Sequence, residues 1–377
     1  MTSETHILRG RAASVGSGSA AQGTTGAEPA DEHRGDAAHV KRDGWIDVHG
    51  HFSPPLDDDA KRAYQKYLLE NDFVARLDQV SWSADAALAY LDRVGVSMQL
   101  LSNAGPHDAV SARRFNDFGA TIVASHPSRF GLLSIIPMGD PGLALSEMGR
   151  CWDELSCDGF SIVSQYQGSY LGDPKFEPVW SEAERLGATI YLHPLVAGWD
   201  APRLGRPTAF LEVCFDTART VVDMIFAGVF RRHPQLRLVV AHAGGALPAL
   251  AFRVETLGVL SWMPNPHRIR AAEIREALSG LYYDTASSST DHALAPLLAV
   301  TDADHILYGS DYGAPCTEEA ELTRNLDLLM KYERLSKPQR EQMGLVAASL
   351  FPRAAERIGS DVGAAVRRSR SEHEHRV

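Results

Sequence analysis

"WIDVHGHF" occupies residues 45–52, a short apolar run that gives way to two histidines one residue apart. If this run is a strand, side chains at 49 and 51 project from the same face, and two imidazoles there can share one ion. A second such pair, His373 and His375 in "SEHEHRV", has no apolar run beneath it and reads as solvated tail. What stands beside His49 and His51 therefore depends on the fold that the rest of the chain builds around them.

Outward from this stretch, short β-rich runs alternate with longer segments of helical period, the pattern of a parallel sheet wrapped by helices. The predicted strands are "WIDVH" (45–49), "SMQLLS" (97–102), "FGLLSIIP" (130–137), "GFSIVS" (159–164), "ATIYLH" (188–193), "LRLVVAH" (236–242), "LYYDTA" (281–286) and "HILYGSD" (305–311). Between them lie helical segments such as "SADAALAYLDRVG", "FEPVWSEAERLG" and "FDTARTVVDMIFAGVFRRH". Eight βα units in residues 44–359 predict an α/β protein of the TIM (β/α)8 type. An open doubly wound sheet is the rival, but no GxGxxG follows the first strand and there is no P-loop.

Composition limits the partners. The chain has 377 residues, 44% hydrophobic and 23% charged, which suits a globular domain with a large core. A formal charge of -11 and the absence of a basic stripe argue against nucleic acid. No apolar run is long enough to span a bilayer, and the N-terminus lacks the apolar core of a secretory signal. Cys151, Cys157, Cys214 and Cys316 show no CxxC spacing, which fits reduced thiols and a cytoplasmic location. Residues 1–43, rich in Gly, Ala, Ser and Thr, are expected to be a disordered extension, and residues 360–377 a flexible charged tail.

In a barrel, chemistry gathers at the C-terminal ends of the strands. The first predicted strand ends in His49 and His51, the fifth in His193, the sixth in His242 and the eighth in Asp311, so all five converge on one face. Three histidines and an aspartate supply nitrogen and oxygen donors suited to Zn²⁺ and acceptable to Mn²⁺ or Fe²⁺. His107, His126, His233 and His292 fall in turns or at helix ends and read as packed or capping residues.

"IDVHGHF", "ATIYLHP", "LRLVVAHAGGALP" and "ILYGSDYG" resemble, in order and spacing, motifs of the amidohydrolase superfamily. The branch is that of aminocarboxymuconate semialdehyde decarboxylase and of the decarboxylases of ortho-hydroxybenzoates such as γ-resorcylate, 5-carboxyvanillate and 6-methylsalicylate. The similarity covers about residues 44–356. It implies a distorted barrel holding one divalent metal, Zn²⁺ before Mn²⁺, on His49, His51, His193 and Asp311. His242 would stand beside the metal as an acid/base or electrostatic partner, and Arg253 would bind the substrate carboxylate, in some members from the neighbouring subunit; a homodimer follows.

Two departures narrow the expectation. The muconate semialdehyde enzymes carry an arginine in the helix before strand two, whereas "WSADAALAYLD" has none before Arg93, which points away from an acyclic dicarboxylate. "SIVSQYQGSYLGD" lacks the lysine that other amidohydrolases carboxylate to bridge two metals, so a mononuclear site is expected. The expected activity is non-oxidative decarboxylation of a small aromatic or unsaturated acid. Asp311 or His242 would be the proton donor, and Phe52, Trp82, Tyr166, Tyr170 and Tyr312 are candidate walls for a flat ring. The competing readings are a metal-dependent hydrolase or hydratase of a small lactone, ester or unsaturated acid, and a barrel that binds without catalysing.

Overall fold

The computed structural model describes residues 41–74, 81–103, 105, 107–195 and 205–359. Both predicted disordered ends fall almost wholly outside these residues. The exception is the start of β1 (Arg42–His51), which begins two residues inside the stretch assigned to the extension. The Arg42 N–H donates to Gly95 O at 2.7 Å and the Gly44 N–H to Ser97 Oγ at 2.9 Å, so pairing starts before the apolar run does.

After β1 come α1 (Asp58–Glu70), α2 (Ala84–Val94), β2 (Val96–Ser102), α3 (Ala109–Ser125), β3 (Phe130–Ile135), α4 (Pro141–Asp153) and β4 (Gly159–Val163). A small antiparallel hairpin follows, β5 (Gln165–Tyr166) with β6 (Ser169–Tyr170). The barrel resumes with α5 (Glu177–Leu186), β7 (Thr189–His193), α6 (Thr208–Phe226), α7 (Val229–Arg232), β8 (Arg237–Val240), α8 (Leu247–Leu257), α9 (Ala271–Gly280) and β9 (Tyr282–Asp284). It ends with α10 (Asp291–Leu298), β10 (Ile306–Leu307), α11 (Glu319–Met330), α12 (Lys337–Leu350) and α13 (Pro352–Ile358).

Eight strands form one parallel sheet in the order β1-β2-β3-β4-β7-β8-β9-β10. The segment after β10 returns to β1: the Val48 N–H donates to Tyr308 O at 3.0 Å, that of Asp311 to His49 O at 2.8 Å and that of His51 to Tyr312 O at 2.7 Å. These bonds complete a TIM-type (β/α)8 barrel, as the alternation of runs predicted. The pairing of β1 with β2 slips between Asp47 and Gly50, a local irregularity next to the two histidines.

Alternate strand residues build two apolar layers. Leu132, Phe160, Ile190, Leu238 and Ile306 pack with helix residues such as Leu91, Met148, Trp180 and Met224. Ile46, Leu133, Tyr191, Val239 and Leu307 instead meet Val346, Leu350 and Phe351, so α12 and the start of α13 fill one end of the barrel axis. Gly344 lets α12 lie close against β1: a Cβ there would lie 1.9 Å from the Trp45 ring.

Local chemistry places the helix ends. Ser83 caps α2 by accepting from the Ala86 N–H at 3.3 Å, and Gly95 ends it in the left-handed region at φ 71°. The single helix expected from "FDTARTVVDMIFAGVFRRH" is in fact two, α6 and α7, broken at Gly228. Among the described residues no helix is long and apolar enough to cross a membrane.

Candidate metal centre

All five sequence-predicted polar residues meet at the C-terminal mouth of the barrel. His49 and His51 end β1 with their Nε2 atoms 3.1 Å apart. Asp311 Oδ1 lies 3.2 Å from His49 Nε2 and 2.9 Å from His51 Nε2. His193 ends β7, and its ring centroid is 5.2 Å from that of His49 and 5.0 Å from that of His51. His49, His51, His193 and Asp311 each turn one ligand-type atom inward, and these atoms all lie within 4.8 Å of one another. His242 completes the group from outside, its Nε2 3.5 Å from the second oxygen of Asp311, Oδ2.

Backbone conformation aims the last two residues. His242 sits in the turn after β8 at φ 55°, and Asp311, four residues past β10, has φ 70°. Non-glycine residues adopt this region infrequently, and where they do the surroundings must enforce it, often at functional sites. The turn runs on through Ala243, Gly244 and Gly245, all at positive φ. A Cβ on Gly245 would come within 2.5 Å of Cys214 O, so "HAGG" is a packing requirement as well as a turn.

The tautomers follow from the outer contacts. Asp284 Oδ2 lies 2.9 Å from His49 Nδ1, which holds a proton there and leaves Nε2 as the nitrogen that faces the centre. The His193 Nδ1–H donates to Pro194 O at 2.8 Å, so its Nε2 is a free donor of electrons. Burial pushes His51 below its ordinary value. Burial first, then the rings of His51, His49 and His242, pushes His193 well below it. Burial opposes the charged form of His49, but the Asp311 and Asp284 carboxylates outweigh it and raise that ring to about 10. Asp311 is buried too, yet His49 above all holds its carboxyl well below the usual carboxylate range. The centre thus attracts positive charge: it offers one ionised carboxylate and the neutral rings of His51 and His193, while His49 keeps a proton that a divalent cation at its Nε2 would displace. Asp311 Oδ1 is buried and makes no hydrogen bond of acceptable geometry despite its two nitrogen neighbours. Such a donor set fits a single divalent cation.

Sequence reasoning passed over Asp284, whose carboxylate also accepts from the Tyr191 hydroxyl at 2.7 Å, the His242 N–H at 2.9 Å and the Ala286 N–H at 3.0 Å. Its signal was available: it ends β9, inside the predicted strand "LYYDTA". Arg253 lies exposed on α8 and makes no side-chain hydrogen bond or ion pair with the cluster among the described residues. Of the predicted ring walls, Phe52 is buried in the layer between barrel and helices, against Phe115, Phe118 and the Trp82 ring 6.1 Å away, and Trp82 is only partly buried. The other three are tied into the fold: Tyr312 stacks on Tyr90 at 4.4 Å, the Tyr166 hydroxyl accepts from the Val163 N–H at 3.0 Å, and the Tyr170 hydroxyl donates to Asp216 at 2.7 Å.

The chain is similar to known proteins over most of its length. The 6-methylsalicylic acid decarboxylase of Penicillium expansum is 28% identical over 332 residues, spanning 82% of this chain and 96% of that protein. The enzyme of the same name from Aspergillus aculeatus is 31% identical over 289 residues, spanning 71% of this chain and 83% of that one. Among solved structures, 5-carboxyvanillate decarboxylase from Sphingomonas paucimobilis superposes with a TM-score of 0.69 at 25% identity, over 82% of this chain and 98% of its own. The family model described as amidohydrolase matches residues 46–351, from the strand that carries the paired histidines to the helices that fill the barrel axis. The chain belongs to the amidohydrolase family.

Proposed function

We propose that this enzyme decarboxylates, without oxidation, a small aromatic acid bearing an ortho-hydroxyl, the class to which 6-methylsalicylate belongs. The observation that carries the proposal is a buried set of three imidazoles and one carboxylate, with His242 at that carboxylate's outer oxygen, in a chain related to two such decarboxylases. We assign His49, His51, His193 and Asp311 as ligands of one divalent cation, Zn²⁺ by the nitrogen-rich donor set, with Mn²⁺ also accepted. When bound, the cation supplies Lewis acidity and anchors the hydroxyl and carboxylate of the substrate.

The protein's own groups supply orientation and the proton. Decarboxylation needs a proton on the ring carbon that bears the carboxylate; that C–C bond then breaks, its electron pair returns to the ring, and CO2 leaves. Asp311 presents Oδ1 to the histidines and Oδ2 to His242, so the two residues share a position from which a proton can be delivered. His242 Nδ1 is buried without a hydrogen-bond partner among the described residues, which leaves it to receive a polar substituent of the substrate. Trp82, only partly buried and next to Gly313 two residues past Asp311, is the candidate flat apolar surface.

A homodimer in which Arg253 reaches the partner's substrate carboxylate completes the reading. Its support is the family resemblance and the surface around Arg253, where Phe252 is 77% exposed and Trp262 66%. The four free cysteines suit a cytoplasmic setting.

The test is CO2 release from ortho-hydroxybenzoates, 6-methylsalicylate and γ-resorcylate among them, by protein loaded with Zn²⁺ or Mn²⁺, beside His193→Ala. Release that the variant abolishes is expected. Silence across the panel with metal bound would move the assignment to lactone or ester hydrolysis by the same centre.

A further inference from the structure

Beyond the ligands, one buried carboxylate on the mouth side of the barrel has no part in the mechanism above. Asp216, on α6, is 1% exposed. One of its oxygens accepts from the Ser164 hydroxyl, and the other accepts from the Tyr170 hydroxyl at 2.7 Å. Arg219 Nη1 stands 3.8 Å from the same carboxylate. Ser164 is fully buried directly after β4, and its Oγ accepts from the Leu195 N–H at 2.8 Å. The hydroxyl also lies 3.0 Å from Leu195 O, but an ionised carboxylate is the stronger acceptor and takes the proton.

The Leu195 N–H belongs to the same planar peptide unit as Pro194 C=O. That carbonyl accepts from His193 Nδ1 at 2.8 Å. A continuous line of donors and acceptors therefore runs from Asp216 through the Ser164 hydroxyl and one peptide group to the ring of His193. Hydrogen bonds in such a line polarise one another in the same sense. The carboxylate draws the hydroxyl proton, the hydroxyl oxygen becomes a better acceptor for the N–H, and the carbonyl becomes a better acceptor for the ring proton.

We propose that Asp216 and Ser164 are positioning residues for His193, fixing its tautomer and raising its donor strength toward the metal through the 194–195 peptide. His49 receives this support directly from Asp284, and His193 receives it at one remove. Without the relay, the peptide is free to rotate away and the ring loses its only hydrogen-bonded anchor among the described residues. The inference rests on His193 being a metal ligand, as assigned above.

The test measures affinity for Zn²⁺ and for Mn²⁺ by chelator competition, on the full chain, for Ser164→Ala, Ser164→Thr, Asp216→Asn, Tyr170→Phe and His193→Ala. Ser164→Ala and Asp216→Asn are expected to weaken metal binding about 10-fold or more, the low end of what outer partners of metal-bound histidines contribute. Ser164→Thr, which keeps the hydroxyl, should restore affinity. Tyr170→Phe, which removes a bond to Asp216 Oδ1 and leaves the link from Oδ2 to Ser164 intact, should leave affinity within about 2-fold of wild type. Equal losses in Tyr170→Phe and Ser164→Ala would reduce the cluster to local packing and overturn the inference. So would wild-type affinity in Ser164→Ala while His193→Ala loses metal. Full affinity in His193→Ala would overturn the ligand assignment itself. If Asp216→Asn fails to fold, the Ser164 pair still decides.

Discussion

The Asp284 carboxylate holds His49 Nδ1 at 2.9 Å, and both side chains are fully buried. This contact decides which nitrogen of His49 faces the cation site, and Asp284 simultaneously grips the His242 N–H. One residue thus orients a proposed ligand and the proposed proton-transfer partner together. Asp284→Ala is expected to weaken metal affinity roughly 10- to 100-fold. It should also lower folding stability by about 3–5 kcal/mol, since a charged ring is left buried without its partner. Metal titration and urea unfolding of the metal-free protein read the two effects separately.

Ligation and proton transfer separate by mutation. His193→Ala should lose metal and turnover together. His242→Ala should keep stoichiometric metal and lose turnover by about 10²- to 10⁴-fold, the usual contribution of a positioned acid or base. Metal analysis beside the CO2 assay distinguishes them, and stoichiometric metal in His193→Ala would refute the assignment.

His107 predicts an acid-sensitive step away from the centre. Its Nδ1 is 2.7 Å from Ser111 Oγ and its Nε2 2.8 Å from Asn103 Oδ1, while Asn103 Nδ2 donates to Phe52 O at 3.0 Å. Burial lowers the ring to about 4, so the folded protein keeps it neutral where the unfolded chain protonates it. The stability it contributes is complete above about pH 6.5 and is lost as pH falls from there toward 4. Between pH 7 and pH 5 the loss is about 2 kcal/mol. Urea unfolding at the two pH values should show a flatter response in His107→Gln than in wild type by about that amount.

The apolar surface beside Arg253 predicts an assembly phenotype. Phe252→Glu and Trp262→Glu place charges where a partner would pack, and each is expected to give a monomer in sedimentation. If Arg253 serves the partner's site, the monomers should keep metal while KM for the acid rises. Monomeric wild-type protein with full activity would remove the dimer from the mechanism.

The barrel was legible because strand period and helix period alternate strongly, and the five polar residues because each ends a predicted strand. Asp284 stood equally at a strand end, but a lone acid after two tyrosines carries no ligand spacing to single it out. Asp216 was harder still: inside a long helix, an aspartate reads as solvent-facing until the fold shows which side of α6 meets β4 and the hairpin. Helix α1 escaped notice because Leu68 is its only buried residue, which leaves almost no periodic stripe to detect. The left-handed turns at His242 and Asp311 arise from long-range pairing and packing, to which local propensity is blind.

The plug formed by α12 and α13 bears on how the protein is born. Ser310 bonds to Asp47 across 263 positions, and the axial core waits for Val346, Leu350 and Phe351. A ribosome that has released β1 through β8 has delivered His49, His51 and His193 but neither Asp311 nor the residues that fill the axis. Contacts so distant in sequence form late, after the whole chain is free to close its loops. Under the proposed ligation, metal selection is a property of the finished barrel, and a cation met during synthesis would find histidines without the Asp311 carboxylate.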